Sequence, residues 1–235
     1  MTTVAKLAKN RTPKATPGPS LVWERRAWDA GKLLVAGVDE AGRGAWAGPL
    51  VAAAVMLPRD SRERGRITRA INRAGAVVRD SKQLSAGQRQ RVVDVLRALG
   101  VPHVVAVIEV GELDAIGLGV ANKAALCRAV AGLSPEPEHV LVDAFRLRSL
   151  SCTHDPIIRG DNLSQTIAMA SIVAKLHRDA LMVALDAEHP RHGFATHKGY
   201  GTAAHRSAIE RHGITPQHRT SFVPIAEFLA HGAND

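Results

Sequence analysis

Two short apolar runs, joined by a glycine-rich segment, constrain the fold of this chain more than any other feature. The runs K-L-L-V-A-G-V (32–38) and L-V-A-A-A-V-M-L (50–57) have the length of strands. Between them lies D-E-A-G-R-G-A-W-A-G-P (39–49), which contains three glycines and a proline. Short apolar runs bounded by Gly and Pro are typical of strands joined by a turn. The pattern therefore predicts an antiparallel hairpin connected through residues 40–49.

Strands and helices alternate along the remainder of the chain. Hydrophobic periodicity predicts helices at 85–99, 114–130 and about 162–188. Further strands are expected at 104–108, 140–142 and 156–159. The Arg-rich stretch 58–75 is interpreted as a surface excursion. A hairpin followed by alternating helices and strands is typical of an α/β architecture with a mixed sheet.

Composition and charge indicate one folded domain and a polyanionic partner. The 235 residues are 46% hydrophobic, which suffices for one sizeable core. Residues 1–20 contain four cations and no acids, so we expect a disordered basic tail before a single domain at 21–235. Without the tail, 27 cations remain against 22 acids. A basic body favours nucleic acid as the partner, although many basic proteins bind none.

Membrane and secretory functions are not indicated. No apolar run is long enough to span a bilayer, and the N-terminus lacks the apolar core of a secretory signal. The two cysteines, Cys127 and Cys152, form no C-x-x-C pair and are interpreted as free thiols. We therefore expect a cytoplasmic protein, with a monomer as the simplest state.

Acidic residues directly follow three of the short apolar segments. They are Asp39, Glu40, Asp143 and Asp161. If these strand ends meet at one edge of the sheet, the carboxylates repel one another unless cations lie among them. Hard divalent ions such as Mg²⁺ take oxygen ligands, and a pair of ions about 4 Å apart can assist an in-line phosphoryl displacement. The repeated pattern predicts a metal-dependent phosphoryl-transfer site.

Each acid also has an ordinary structural interpretation. Asp161 could cap the following helix, Asp143 could begin a turn, and Asp39 with Glu40 could be hairpin acids. Because successive strand residues face opposite sides, Asp39 and Glu40 could share one site only if the strand ends where they begin. We therefore expect the first strand to end before Asp39.

Six blocks along the chain resemble those of bacterial ribonuclease HII, the type 2 ribonuclease H family. They are V-D-E-A-G-R-G-A-W-A-G-P (38–49), R-D-S-K-Q-L-S (79–85), V-D-A (142–144), G-D-N-L-S-Q-T-I-A-M-A-S-I-V-A-K-L-H-R-D (160–179), H-G-F-A-T-H-K-G-Y-G-T-A-A-H (192–205) and H-R-T-S-F-V-P (218–224). The resemblance covers about residues 33–225 in order. It implies a ribonuclease H-like fold with a mixed five-stranded sheet flanked by helices, and a helical C-terminal extension at about 190–235.

The resemblance also implies an activity and a set of site residues. Members cut RNA–DNA hybrids, and duplex DNA with single embedded ribonucleotides, on the 5′ side of the ribonucleotide. The products carry 3′-hydroxyl and 5′-phosphate ends, and the cofactor is Mg²⁺ or Mn²⁺. The family's metal-binding acids correspond to Asp39, Glu40, Asp143 and Asp161. Its substrate-binding residues correspond to Gly42, Arg43 and Gly44 at the 2′-hydroxyl, Lys82 near a phosphate, and Tyr200 at the junction with deoxyribose.

Two other functions fit the sequence less well. A basic nucleic-acid-binding protein without catalysis is disfavoured, because four acids would repel DNA unless a metal neutralised them. A metal-dependent phosphatase acting on small substrates is disfavoured by the basic charge and by the turn and tyrosine just described. Six of the 11 histidines lie between residues 189 and 218: His189, His192, His197, His205, His212 and His218. No zinc-type spacing accompanies them, so contacts with the duplex backbone or with helix ends are expected instead.

Overall fold

The computed structural model of the protein describes residues 18–232. Its strands are β1 (Val35–Ala41), β2 (Leu50–Met56), β3 (His103–Ile108), β4 (His139–Asp143) and β5 (Thr153–Ile157). Its helices are α1 (Val22–Asp29), α2 (Ser61–Arg73), α3 (Ala86–Ala98), α4 (Val110–Ile116), α5 (Leu118–Ala131), α6 (Gln165–Glu188), α7 (Phe194–His197), α8 (Ala203–His212) and α9 (Val223–Gly232). Short 3₁₀ turns occur at Ser81–Gln83 and Gly160–Asn162. None of the helices in this part of the chain combines the length and hydropathy needed to cross a bilayer.

The five strands form one mixed sheet in the order β3-β2-β1-β4-β5. β1 pairs antiparallel with β2, as the hairpin pattern predicted, and β2 pairs antiparallel with β3. β4 lies parallel to β1 and to β5. The predicted mixed five-stranded α/β fold is therefore confirmed, and so is the helical C-terminal segment, which consists of α7, α8 and α9.

Helices cover both faces of this sheet. α6 packs on one face with α2 and α3, and α5 packs on the other. A close approach of α6 to β1 requires glycine at position 37, where a Cβ would lie 2.4 Å from the backbone nitrogen of Ile167. The apolar side chains on both faces of β1 and β2 are almost fully buried. Burial of this kind contributes about 1.5–3 kcal/mol for each large side chain.

The strand predicted at 156–159 lies earlier, at Thr153–Ile157, and two other predicted segments differ in their helices. The stretch 58–75 contains a helix, α2, because Asp60 caps its N-terminus and Ile67 and Ile71 bury one face against the core. The single helix predicted at 114–130 is two helices, since Gly117 between them adopts a φ of +78° that a continuous helix does not allow.

The predicted basic tail falls largely outside the described residues, which begin at residue 18. Ser20 already belongs to the folded domain, because its backbone N–H donates to Leu163 at 3.0 Å and its carbonyl accepts from Gln165 at 3.1 Å. These contacts tie the start of α1 to the start of α6. Disorder of residues 1–17 stays a prediction.

Candidate active site

All nine predicted site residues line one cleft of about 630 Å³. The cleft opens at the carboxyl ends of β1 and β4, beside the 3₁₀ turn that carries Asp161. The four acids lie with the glycine turn at 42–44, with Lys82 and with Tyr200. The fold thus brings together residues that lie up to 161 positions apart in the sequence, from Asp39 to Tyr200.

The expectation that β1 ends before Asp39 is wrong. The strand continues to Ala41, and Asp39 and Glu40 pair with Ala53 and Ala52 of β2. The parallel pairing of β1 with β4, however, stops at Val38. Beyond that residue β1 has an open edge towards β4. Asp39 and Glu40 project from opposite faces of the strand, yet both line the cleft.

Burial and mutual repulsion make the carboxylates of Asp39, Glu40 and Asp143 hard to ionise. Desolvation raises the pKa of Asp39 well above its ordinary value, and the charges of Glu40 and Asp143 raise it further. The pKa of Glu40 rises to about 7, first through burial and then through Asp143. Desolvation is also the main reason why the pKa of Asp143 is raised. A cation placed among these acids would favour their ionised forms.

The acids provide some, but not all, of the ligands that a divalent cation requires. Oxygen Oε2 of Glu40 is buried without a hydrogen-bond partner. A bound cation would supply the partner that this oxygen lacks. Within residues 18–232, however, no three His, Cys, Asp or Glu side chains stand close enough to hold an ion by themselves. Mg²⁺ is usually held by one or two carboxylates together with waters and substrate phosphates. The cleft therefore suits an ion shared with a phosphorylated substrate and differs from a preformed protein cage.

The two downstream acids accept hydrogen bonds from residues of one 3₁₀ turn, Asp143 from its backbone and Asp161 from a side-chain amide. Oδ1 of Asp143 accepts the N–H of Gly160 at 2.7 Å, and Oδ1 of Asp161 accepts from the Asn162 amide at 2.9 Å. The interpretation of Asp161 as the cap of α6 is wrong, because the Ser164 side chain occupies that position and accepts from the backbone of residue 167. The second oxygen of each carboxylate is thus left for other partners.

The glycine turn combines one constrained position with one open position. Gly42 has a φ of +88°, and a Cβ there would lie 1.8 Å from Nε of Arg178. Nothing lies within 4 Å of the place where a Cβ of Gly44 would stand. The side chain of Arg43 is exposed and its guanidinium lies 4.9 Å from the Phe145 ring centroid. The backbone of this turn is therefore accessible to a ligand from the cleft.

Cationic side chains surround the rim of the cleft. Lys82 is exposed on the 3₁₀ turn, whose start is capped by Asp80, and its charge lowers the pKa of Asp143. The ring of Tyr200 is 36% exposed, and Lys175 Nζ lies 5.8 Å from its centroid. The exposed ring face and the cations suit a ligand that carries both a planar group and phosphates.

Three further residues of this site had not been expected. Ser171 and Lys175 line the cleft from α6, and Asn122 of α5 acts on the pKa of Glu40. Ser171 is buried and shares a hydrogen bond of 3.0 Å with Ser81. Both amide atoms of Asn122 are buried without a partner. A polar residue within an apolar helical face was the sequence signal for Ser171 and Asn122.

A cluster of buried histidines supports the loop that carries Tyr200. Nδ1 of His205 donates to the Tyr200 carbonyl at 3.0 Å, and its Nε2 accepts from Nε2 of His218 at 3.1 Å. The N–H of Thr215 donates to Nδ1 of His218 at 2.8 Å, which fixes the tautomers of both rings. Four of the six histidines are buried, so the expectation that they contact a duplex backbone is wrong for His192, His197, His205 and His218. The alternative, contact with a helix end, holds for His192, whose Nε2 lies 3.1 Å from the carbonyl of Gly213 at the end of α8.

Acid is expected to destabilise the protein through this histidine pair. Burial, then repulsion from His197 and His192, lowers the pKa of His205 from 6.5 to about 4, and His218 is lowered similarly. A depressed histidine pKa means that the unfolded chain binds protons first, so stability is full above pH 6.5 and falls towards pH 4. Each pKa unit corresponds to about 1.4 kcal/mol, so we expect a loss on the order of 3 kcal/mol for each of the two histidines. Urea unfolding between pH 7 and pH 4.5 measures it.

The contribution of the pair is isolated by comparing variants. The raised pKa values of the cleft acids work in the opposite direction, so the useful quantity is the difference between wild-type and variant curves. His205→Gln should reduce the fall in the free energy of unfolding between pH 7 and pH 4.5. His177→Gln, on the exposed side of α6, should leave that fall unchanged. Parallel curves for wild type and His205→Gln would contradict the assignment.

Comparison with known proteins agrees with this fold. The model of the family described as Ribonuclease HII matches residues 36–225. A ribonuclease HII of Anaeromyxobacter sp. (strain Fw109-5) is 49% identical over 209 residues, which make up 89% of this chain and 62% of that protein. The match thus spans less than two thirds of that relative's length.

Solved structures share the architecture at low sequence identity. The ribonuclease H2 from Pyrococcus horikoshii OT3 superposes with a TM-score of 0.69 at 23% identity, covering 86% of this chain and 100% of that one. Bst-RNase HIII, solved in complex with Mn²⁺, has a TM-score of 0.64 at 21% identity and covers 97% and 78% of the two chains. At these identities the superpositions show the fold, while the family match extends over most of the described residues. The chain therefore belongs to the ribonuclease HII family, whose members are hydrolytic endoribonucleases.

Proposed function

We propose that this protein hydrolyses the phosphodiester on the 5′ side of ribonucleotides, in RNA–DNA hybrids and at single ribonucleotides embedded in duplex DNA. The products would carry 3′-hydroxyl and 5′-phosphate ends. The observation that carries the proposal is one cleft that joins four acids to an accessible glycine turn. The acids account for phosphoryl transfer, and the turn accounts for selection of ribose over deoxyribose.

The four acids Asp39, Glu40, Asp143 and Asp161 would together hold Mg²⁺ or Mn²⁺. Bound there, a divalent cation would neutralise phosphate charge and lower the pKa of a water molecule. The fit rests on the raised carboxylate pKa values and on the unpartnered buried oxygen of Glu40. The chain's own contribution is to hold the carboxylates at the open edge of β1, beside the turn.

Selection of the ribonucleotide would use backbone groups of Gly42, Arg43 and Gly44. The 2′-hydroxyl is both a donor and an acceptor, and it distinguishes RNA from DNA. Space beside Gly44 leaves room for a ribose to approach. Tyr200 would stack on the sugar of the following nucleotide, and Lys82 would contact a neighbouring phosphate. Lys175, 2.6 Å from Asp179, adds positive charge below the tyrosine ring.

The biological setting belongs to the same proposal. Removal of ribonucleotides from DNA during replication and repair would place the protein in the cytoplasm, where the free cysteines Cys127 and Cys152 stay reduced. The formal net charge of +9 suits a nucleic-acid duplex. The four cations within residues 1–17 would add an attraction to phosphates that weakens with salt. We propose that the protein acts as a monomer.

A nicking assay with and without chelator tests this function. With Mg²⁺ or Mn²⁺, the protein is expected to cut a DNA duplex containing one ribonucleotide at the bond 5′ to it, and to leave the all-DNA duplex intact. EDTA should stop cleavage. Binding without cleavage would favour a nucleic-acid-binding protein, and hydrolysis of p-nitrophenyl phosphate without nicking would favour a small-substrate phosphatase.

A further inference from the structure

Two arginines beside the cleft are buried completely, with no carboxylate of the described residues within ion-pair distance. Arg178 lies on α6 and Arg219 lies in the segment before α9, and both are 0% exposed. Removing a cation from water without an anionic partner is costly. Burial lowers the pKa of Arg219 to about 9, with a further contribution from Arg178. The fold retains two such groups next to its candidate active site.

The guanidinium groups are satisfied by backbone carbonyls of the connection between β1 and β2. Arg178 donates from Nε to Pro49 at 2.9 Å and from Nη2 to Ala47 at 3.1 Å. Arg219 donates from Nε and Nη2 to Gly48 at 3.0 and 2.8 Å, and from Nη1 to Arg43 at 3.1 Å. A guanidinium has five donors in a rigid plane, so it can bind several carbonyls that no regular structure satisfies.

Arg178 also reaches the loop that carries Tyr200, whereas Arg219 holds the β1–β2 connection alone. Nη1 of Arg178 donates to the Lys198 carbonyl at 2.9 Å, and its guanidinium lies 5.4 Å from the Tyr200 ring centroid. The two segments also touch directly, because the backbone N–H of Trp46 donates to Gly199 at 2.8 Å. A Cβ at position 199 would stand 2.2 Å from the Ala47 carbonyl, which shows how closely the segments pack.

We propose that Arg178 and Arg219 are positioning residues that fix the glycine turn at the correct distance from Tyr200, and thereby set the selectivity for ribonucleotides. This inference rests on the proposed function, because it assigns a purpose to the two segments that would contact the ribose and the next sugar. Neither arginine reaches the cleft surface, so each acts through the backbone that it holds. The distance between the segments, and with it selectivity, depends on both clamps together.

The test uses Arg178→Lys and Arg219→Lys, which retain the charge but not the planar array of donors. With the single-ribonucleotide duplex, kcat/KM is expected to fall about 10- to 100-fold, the range for losing charge-assisted hydrogen bonds. The Kd for the all-DNA duplex should change less than about 2-fold, because phosphate contacts depend little on the clamp. The double variant should lose less than the product of the single losses, since both act on one segment.

A matched control separates positioning from loss of stability. Leu96→Ala creates a cavity in the core beneath α3, remote from the cleft, and so destabilises the protein. Its selectivity, which is kcat/KM for the ribonucleotide duplex relative to affinity for the all-DNA duplex, should stay at the wild-type value. Equal selectivity in Leu96→Ala and the lysine variants, or parallel losses for ribonucleotide and all-DNA duplexes, would overturn the proposal. If one lysine variant fails to fold, the other carries the same comparison.

Hydrogen exchange keeps this inference distinct from the proposed function. Arg178→Lys should increase exchange in residues 42–49 and 197–201 together, whether or not the wild-type protein nicks a ribonucleotide duplex. Unchanged protection in either segment would refute the clamp. If the wild-type protein does not nick the ribonucleotide duplex, but both segments exchange faster in Arg178→Lys, the proposed function is refuted. The role of Arg178 in holding the two segments together is then still supported.

Discussion

Asp39→Asn or Asp143→Asn is expected to slow cleavage at an embedded ribonucleotide by about 10³-fold, because charge stabilisation by a metal is worth several kcal/mol and each 1.4 kcal/mol is about tenfold in rate. The neutral amide removes the charge that holds a cation, while its carbonyl oxygen can still accept the existing hydrogen bonds. These come from the N–H of Glu40 to Asp39 and from the N–H of Gly160 to Asp143. Single-turnover nicking assays measure the loss.

The fold should survive these substitutions, which keeps the result interpretable. Without a cation the native carboxylates repel one another, so neutralising Asp39 is expected to leave the thermal midpoint unchanged or raised. Duplex binding, measured by fluorescence anisotropy in the absence of divalent ions, should persist. Asp94→Asn is the matched control, since that acid lies exposed on α3 and pairs with Arg97 at 3.6 Å. Near wild-type cleavage by either cleft variant would contradict the assignment of these acids to the active site.

The sheet and the long helix could be predicted because their sequence signals are local. The apolar runs around β1 and β2 and the small-residue stretch in α6 specify strands and a closely packed helix directly. α2 was missed because its five arginines dominated the composition, and only Ile67 and Ile71 mark its buried face. A helix with so narrow an apolar stripe gives a weak periodic signal.

The acids of the cleft could be predicted from the sequence, whereas the residues that hold the proposed substrate-binding segments could not. Four carboxylates at the ends of apolar runs stand out in the sequence, because such positions are costly for charge. Arg178 and Arg219 look like ordinary surface cations, and only the folded chain shows that their partners are carbonyls of the β1–β2 connection. Backbone acceptors leave no mark in a sequence. The continuation of β1 through Glu40 was hidden for a related reason, since acidic residues usually indicate that a strand has ended.

Tyr200→Ala is expected to lower kcat/KM at an RNA-to-DNA junction by about 10- to 100-fold, since stacking on an aromatic ring is worth about 1–3 kcal/mol. The ring is 36% exposed at the cleft, and its other neighbours are the cations of Arg178 and Lys175. The cations do not replace a flat apolar surface, so alanine would leave the sugar of the proposed contact unsupported. The measurement compares duplexes in which the ribonucleotide is followed by deoxyribose with duplexes in which it is followed by ribose.

Tyr200→Phe separates the ring from its hydroxyl. Phenylalanine retains the stacking surface and should lose only a few-fold, about the value of one neutral hydrogen bond. Its preference for a deoxyribose on the 3′ side should stay close to that of the wild type, whereas the alanine variant should lose that preference. If alanine weakened junction cutting and all-DNA duplex binding equally, the tyrosine would be a general contact and would not read the junction. Because the histidine cluster and Arg178 hold this loop from beneath, both variants should keep the wild-type fold, and the comparison reports on the cleft itself.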